Sequence, residues 1–87
     1  MQHNGSMKVH VECCGAAARW CGAEELSLDL ADDATVETLL ERLSALHPEL
    51  ARRRDRLAVA AGETVVPRDH KLTANERLAL IPPVSGG

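Results

Sequence analysis

The chain has 87 residues with thirteen acidic and ten basic side chains, a formal net charge of -3 that argues against a nucleic-acid partner, which calls for a basic face. That length makes one domain burying roughly 60–65% of its surface. Its core must be aliphatic, because 45% of the residues are hydrophobic yet Phe and Tyr are absent and Trp20 is the single aromatic. No stretch approaches the roughly 18 apolar residues of a membrane span, and no signal-peptide segment is visible, so a cytoplasmic location without a membrane partner is expected.

In chain order, residues 1–6 of MQHNGSM read as an added leader, with Met7 as the native start. MKVHVEC (Met7 to Cys13) alternates, with Val9, Val11 and Cys13 facing one way and Lys8, His10 and Glu12 the other, the pattern of a half-buried strand. GAAARWCG is an Ala-rich turn or short helix closed by Gly22. ELSLDL (Glu25 to Leu30) alternates again and is predicted to pair antiparallel with the first strand. Thr35 is an N-cap, and Glu37 sits in the first turn, where the helix dipole favours it. Val36, Leu39, Leu40, Leu43 and Leu46 form one apolar helical stripe. Pro48 ends that helix near Leu46 or begins a new short turn.

Leu57 to Ala61 and Thr64 to Val66 read as short strands flanking the turn Gly62-Glu63. Pro67 to Glu76 is a polar connection anchored by Leu72, and Arg77 to Pro83 is the last strand. The order β, β, α, β, β, β predicts an α+β roll with the helix on one face of the sheet. Residues 7–83 form that domain.

Chemistry-bearing clusters are scarce. Cys13, Cys14 and Cys21 lack a C-x-x-C pair and the four ligands of a zinc site, so no metal is expected and they read as reduced, mostly buried thiols. His10 and His70 sit in polar settings that need no special role. Arg52, Arg53, Arg54 and Arg56 form a local basic run on an acidic chain, a solvated loop or a docking patch for an acidic partner.

The end of the sequence, ALIPPVSGG, is unusual. Pro82 and Pro83 lack backbone N–H groups and fix φ, so the ladder must stop and the chain leave extended. Val84, Ser85, Gly86 and Gly87 then reach roughly 13–14 Å as an extended, flexible tail over 84–87. Its Gly-Gly end is thin enough for a channel closed to side chains. Leu80, Ile81 and Pro82 beside it are the expected partner interface.

LIPPVSGG, with KVHVE, the TVETLLERL helix and AGETVVPRDHKL, resembles the molybdopterin synthase small subunits, the MoaD family of sulfur carriers related to ThiS. The resemblance covers Met7 to Gly87. It implies a ubiquitin-like β-grasp fold with a mixed four- to five-stranded sheet and one main helix. Ala74-Asn75-Glu76 replaces an Asp-Gly-Asp-like turn of that family, and Asn75 tolerates the positive φ such a turn needs.

The resemblance also implies a mechanism. The Gly87 carboxylate would be adenylated with ATP by an E1-like adenylating enzyme (MoeB-like). A sulfurtransferase or cysteine desulfurase would supply the sulfur that converts it to a thiocarboxylate. The tail, Pro83 to Gly86, would then insert into a large molybdopterin synthase subunit (MoaE-like) and deliver sulfur to cyclic pyranopterin monophosphate in molybdenum cofactor biosynthesis. The chain would thus be a non-catalytic subunit binding no cofactor itself, with catalytic residues on the large subunit. A sulfur carrier for thiazole, cysteine or tRNA thiolation, a ubiquitin-like protein modifier and a plain interaction domain are the alternatives.

Overall fold

Alternation decides the sheet. In the computed structural model, which describes residues 5–83, β1 (Ser6–Cys13) buries Met7, Val9, Val11 and Cys13 and turns Lys8, His10 and Glu12 to the other side. It starts one residue before the expected Met7. β2 (Glu25–Ala31) pairs with it antiparallel, Val9 opposite Leu28 and Val11 opposite Leu26. Between them α1 (Ala17–Cys21) forms a single turn of helix, closed at Gly22 in the left-handed conformation that favours glycine.

α2 (Val36–Leu46) is the main helix. Thr35 caps it: its hydroxyl accepts the Thr38 amide at 3.4 Å, and the Thr38 hydroxyl accepts the Thr35 amide at 3.1 Å, a capping box with Thr in the place usually held by Glu. Val36, Leu39, Leu40 and Leu43 are fully buried. Leu46 is not part of that stripe, contrary to the sequence reading, and is 56% exposed. It lies roughly 70° off the stripe's mean direction at 3.6 residues per turn. Pro48 then starts a second short helix, α3 (Pro48–Ala51), whose Leu50 takes the core position instead.

A 3-10 turn (Arg54–Arg56) leads to the hairpin of β3 (Ala58–Ala61) and β4 (Thr64–Val66). Residues 67–76 then cross the start of α2: the Val36 and Glu37 amides donate to the His70 and Arg68 carbonyls at 3.0 and 2.9 Å. Leu72 anchors this segment in the core at 4% exposure, and Asn75 adopts φ 64°.

β5 (Arg77–Ile81) lies in the middle, parallel to β1 and antiparallel to β3, giving the order β2-β1-β5-β3-β4. Parallel pairing of the first and last strands requires a crossover, which α2 supplies. The result is a mixed five-stranded sheet with the helices on one face, a ubiquitin-like β-grasp. Among the described residues, no helix is long and apolar enough to cross a membrane.

Candidate functional site: the end of β5

β5 delivers the chain to the expected tail. Leu78 and Leu80 point into the core, and Leu80 is completely buried opposite Cys13 and Val59. Its side chain therefore packs the domain and is not available as a contact surface. Ala79 and Ile81 are half-buried on the opposite face. Ile81 is the last residue of the ladder, paired with Ala58. A strand flanked on both sides cannot continue through residues without amide hydrogens, so Pro82 and Pro83 force the chain out of the sheet.

Pro82 is half-buried and Pro83 exposed. The expected tail residues Val84, Ser85, Gly86 and Gly87 lie outside the described residues.

The exit is braced by the segment following β1. The Cys14 amide donates to the Leu80 carbonyl at 3.2 Å. Gly15 follows with φ 52°, and a Cβ built there would stand 3.8 Å from Pro82 Cγ. Space is ordinary; the conformation is what selects glycine. This bracing joins residues 65 or more positions apart, and nothing in the local pattern of CCGAAARWCG signals it.

The sheet face away from the helices divides in two. Its β1–β2 half is polar: Lys8 pairs with Asp29 at 3.9 Å, and His10 Nδ1 lies 3.1 Å from Ser27 Oγ. The β5–β3–β4 half, past Arg77 at the start of β5, is apolar, with Ala58 beside Ile81, Ala60 beside Ala79, and Val65 62% exposed. An apolar strip thus runs beside the point where the chain leaves the sheet.

The remaining chemistry is structural. Cys13 and Cys21 are buried. Burial, then the neighbouring Cys21 thiol, push Cys13 up to about 12; burial also raises Cys21. Enclosed, protonated thiols are poor nucleophiles. Cys14 is half-buried. His70 Nε2 lies 3.1 Å from the Glu76 carboxylate, which also accepts the Thr73 amide at 2.8 Å. Among the described residues, no three His, Cys, Asp or Glu side chains are placed to hold a metal ion.

A family model described as the ThiS family matches residues 16–87. The chain belongs to the ThiS family. This ThiS-family chain is 30% identical over 69 residues to the molybdopterin synthase sulfur carrier subunit of Dictyostelium discoideum, covering 76% of this chain and 80% of that protein. The crystal structure of SAMP1, small archaeal modifier protein 1 of Haloferax volcanii, superposes with a TM-score of 0.78 at 28% identity, over 92% of this chain and 99% of that one. The Caldiarchaeum subterraneum ubiquitin superposes with a TM-score of 0.67 at 18% identity, over 95% of this chain and 100% of that one. ThiS/MoaD sulfur carriers work with an activating enzyme and an acceptor subunit, and this domain is of that general kind.

Proposed function

We propose that the chain is the sulfur carrier subunit of a molybdopterin synthase, acting through the carboxylate of Gly87. The observation that carries this reading is the β5 exit: a central strand ends at two prolines, braced by Cys14 and Gly15, immediately before the sequence VSGG. A carboxylate is a poor acyl donor. In this reading the activating enzyme joins it to the α-phosphate of ATP and releases pyrophosphate; sulfide displaces AMP and leaves the thiocarboxylate directly. A persulfide donor instead displaces AMP to give an acyl disulfide, which a second thiol on the partner enzyme cleaves to the thiocarboxylate, itself ending in a disulfide. The tail then enters the large subunit, where its sulfur attacks a carbon of the cyclic pyranopterin as an oxygen substituent leaves that carbon. Water then cleaves the resulting thioester, leaving the sulfur on the pterin and returning the Gly87 carboxylate. Two carrier turnovers supply the two sulfurs of the dithiolene. The similarity to the Dictyostelium subunit supports this acceptor over others.

The domain's part is to hold the tail root rigid and to offer an apolar strip, Ile81 with Ala58, Ala79 and Val65, to the subunit receiving the tail. Burying apolar surface beside an inserted tail adds affinity without contributing a catalytic group. The scarcity of catalytic clusters in the sequence fits this division of labour.

Deleting Gly87 tests the proposal: the variant is expected to keep the wild-type circular dichroism and unfolding midpoint and to support no sulfur transfer by a cognate large subunit. Normal transfer by the truncated chain would overturn it.

A second reading is favoured by one observation, the close superposition on SAMP1: a modifier using the same activated Gly87 to acylate lysines of other proteins. It predicts isopeptide-linked conjugates after incubation with an activating enzyme and cell extract, which the carrier reading does not.

A further inference from the structure

The fold divides the run Arg52, Arg53, Arg54 and Arg56 between two tasks. Arg54 turns inward. Its guanidinium pairs with Glu37 and lies 3.7 Å from Glu41, while Arg68 donates to the Arg54 and Leu57 carbonyls at 3.0 and 3.1 Å. That arginine ties the 3-10 turn to α2 and is unavailable to a partner.

Arg53 does something else. Its Cζ stands 4.5 Å from the centroid of the Trp20 ring. Glu49 holds it there, accepting from Arg53 through its carboxylate at 2.9 Å and through its main-chain carbonyl at 2.8 Å. Arg52 is 72% exposed and reaches the same carboxylate only at 3.5 Å. Two guanidiniums therefore share one carboxylate, leaving a positive excess on a chain of net charge -3. Arg19, next to Trp20 on α1, is also exposed.

Trp20 is the single Phe, Tyr or Trp of the sequence, and it is only half-buried, packed against the edge of an otherwise aliphatic core. Trp and Arg dominate the energetics of protein interfaces. An arginine already stacked and hydrogen-bonded loses less rotamer freedom when a partner engages it. α1, which carries Trp20, begins two residues after Gly15, the position that adjoins Pro82 at the β5 exit.

We propose that Trp20, Arg52 and Arg53 form a docking surface for an acidic segment of a partner protein. A carboxylate of the segment bridges Arg52 and Arg53, displacing the weak Arg52–Glu49 contact, and an apolar side chain covers the Trp20 indole. Protein is the occupant rather than nucleic acid, because two guanidiniums around the Glu49 carboxylate leave an excess suited to one carboxylate, whereas a polynucleotide is held by several cations along its backbone.

The sole tryptophan provides the readout. The full chain is titrated at low salt with a capped octapeptide of alternating Glu and Leu, following Trp20 emission, and with the matching Lys-Leu peptide. The Glu peptide is expected to give a saturable change and the Lys peptide none. Arg52→Gln with Arg53→Gln should weaken binding about fivefold, as should raising the salt so that exposed pairs are screened. Arg52→Gln alone carries the test should the Arg53 variant unfold, and Trp20→Ala is followed by calorimetry. An absent or unsaturable response, an equal response to the Lys peptide, or binding unchanged by either arginine substitution overturns the proposal. So does tighter binding of a ten-nucleotide oligothymidylate, or salt-sensitive self-association in sedimentation equilibrium that the same variants abolish. No step depends on Gly87, so this surface and the sulfur-carrier reading fail separately.

Discussion

The Cys14 amide donates to the carbonyl of Leu80 at 3.2 Å, fastening the segment after β1 to the last buried residue of β5. Because Pro82 follows two residues later, this bond fixes the direction from which the chain leaves the sheet. Gly15 completes the brace at φ 52°. Gly15→Ala meets no clash but must hold a left-handed backbone, and it is expected to destabilise the domain by about 1 kcal/mol in urea unfolding. A variant as stable as the parent would show that the brace is not under conformational selection.

Leu80 and Ile81 are neighbours with opposite duties. Leu80→Ala removes a fully buried side chain and is expected to cost about 2–5 kcal/mol. Ile81→Ala, on the half-buried opposite face, should lower stability by about 1 kcal/mol, in proportion to the smaller area it hides. In the sulfur-carrier reading, Ile81→Asp should weaken binding of a large subunit while leaving the fold intact. Coincident unfolding curves for the Leu80 and Ile81 alanine variants would contradict this division.

Much of the division was legible in the sequence. Strict alternation in Val9, Val11 and Cys13, and again in Leu78 and Leu80, groups each strand's residues onto common faces, because successive side chains point to opposite sides. Thr35 marks the start of α2, and Pro82 the end of β5. What the sequence did not yield depends on tertiary partners. Leu46 fits the helical repeat on paper, yet Leu50 occupies the core once Pro48 has redirected the chain. Arg54 looks like its neighbours in an arginine run and is separated from them only by Glu37 and Glu41, seventeen and thirteen residues upstream. The brace between Cys14 and Leu80 is equally long-range. Leu80 as a contact residue was the error of reading the strand's faces without knowing which one the helices cover.

The start of α2 offers a separate check. Thr35 satisfies the Thr38 amide, and Thr38 returns the bond. Thr35→Ala takes the acceptor from the Thr38 amide at a part-buried helix end, while the Thr35 amide keeps Thr38 Oγ1, and should destabilise the domain by about 1 kcal/mol, with Thr35→Ser restoring most of the loss. Thermal unfolding of the two variants side by side would decide it.

Acid sensitivity should centre on Glu76. Burial pushes its carboxyl up, but the Thr73 amide, then His70, outweigh this and hold it below the usual carboxylate range. A group with a depressed folded value stabilises the fold above its unfolded value, about 4.3, and loses that contribution as pH falls through the folded value. Between pH 7 and 5, Glu76→Gln is therefore expected to be less stable than the parent. The gap should narrow below about pH 4, as the parent's carboxyl protonates. A gap independent of pH would show that the charge on Glu76 contributes nothing.

The central claim is that Gly87 carries sulfur, and one measurement reaches it directly: C-terminal fragment mass spectrometry after incubation with ATP, a cognate activating enzyme and a sulfur source. Fragmentation is needed because replacing oxygen by sulfur changes the nominal mass as much as oxidising a Met or Cys. The account predicts that the gain localises to Gly87 and disappears when ATP is withheld. A Gly87 that remains a carboxylate in the presence of an enzyme shown to bind the chain would contradict it.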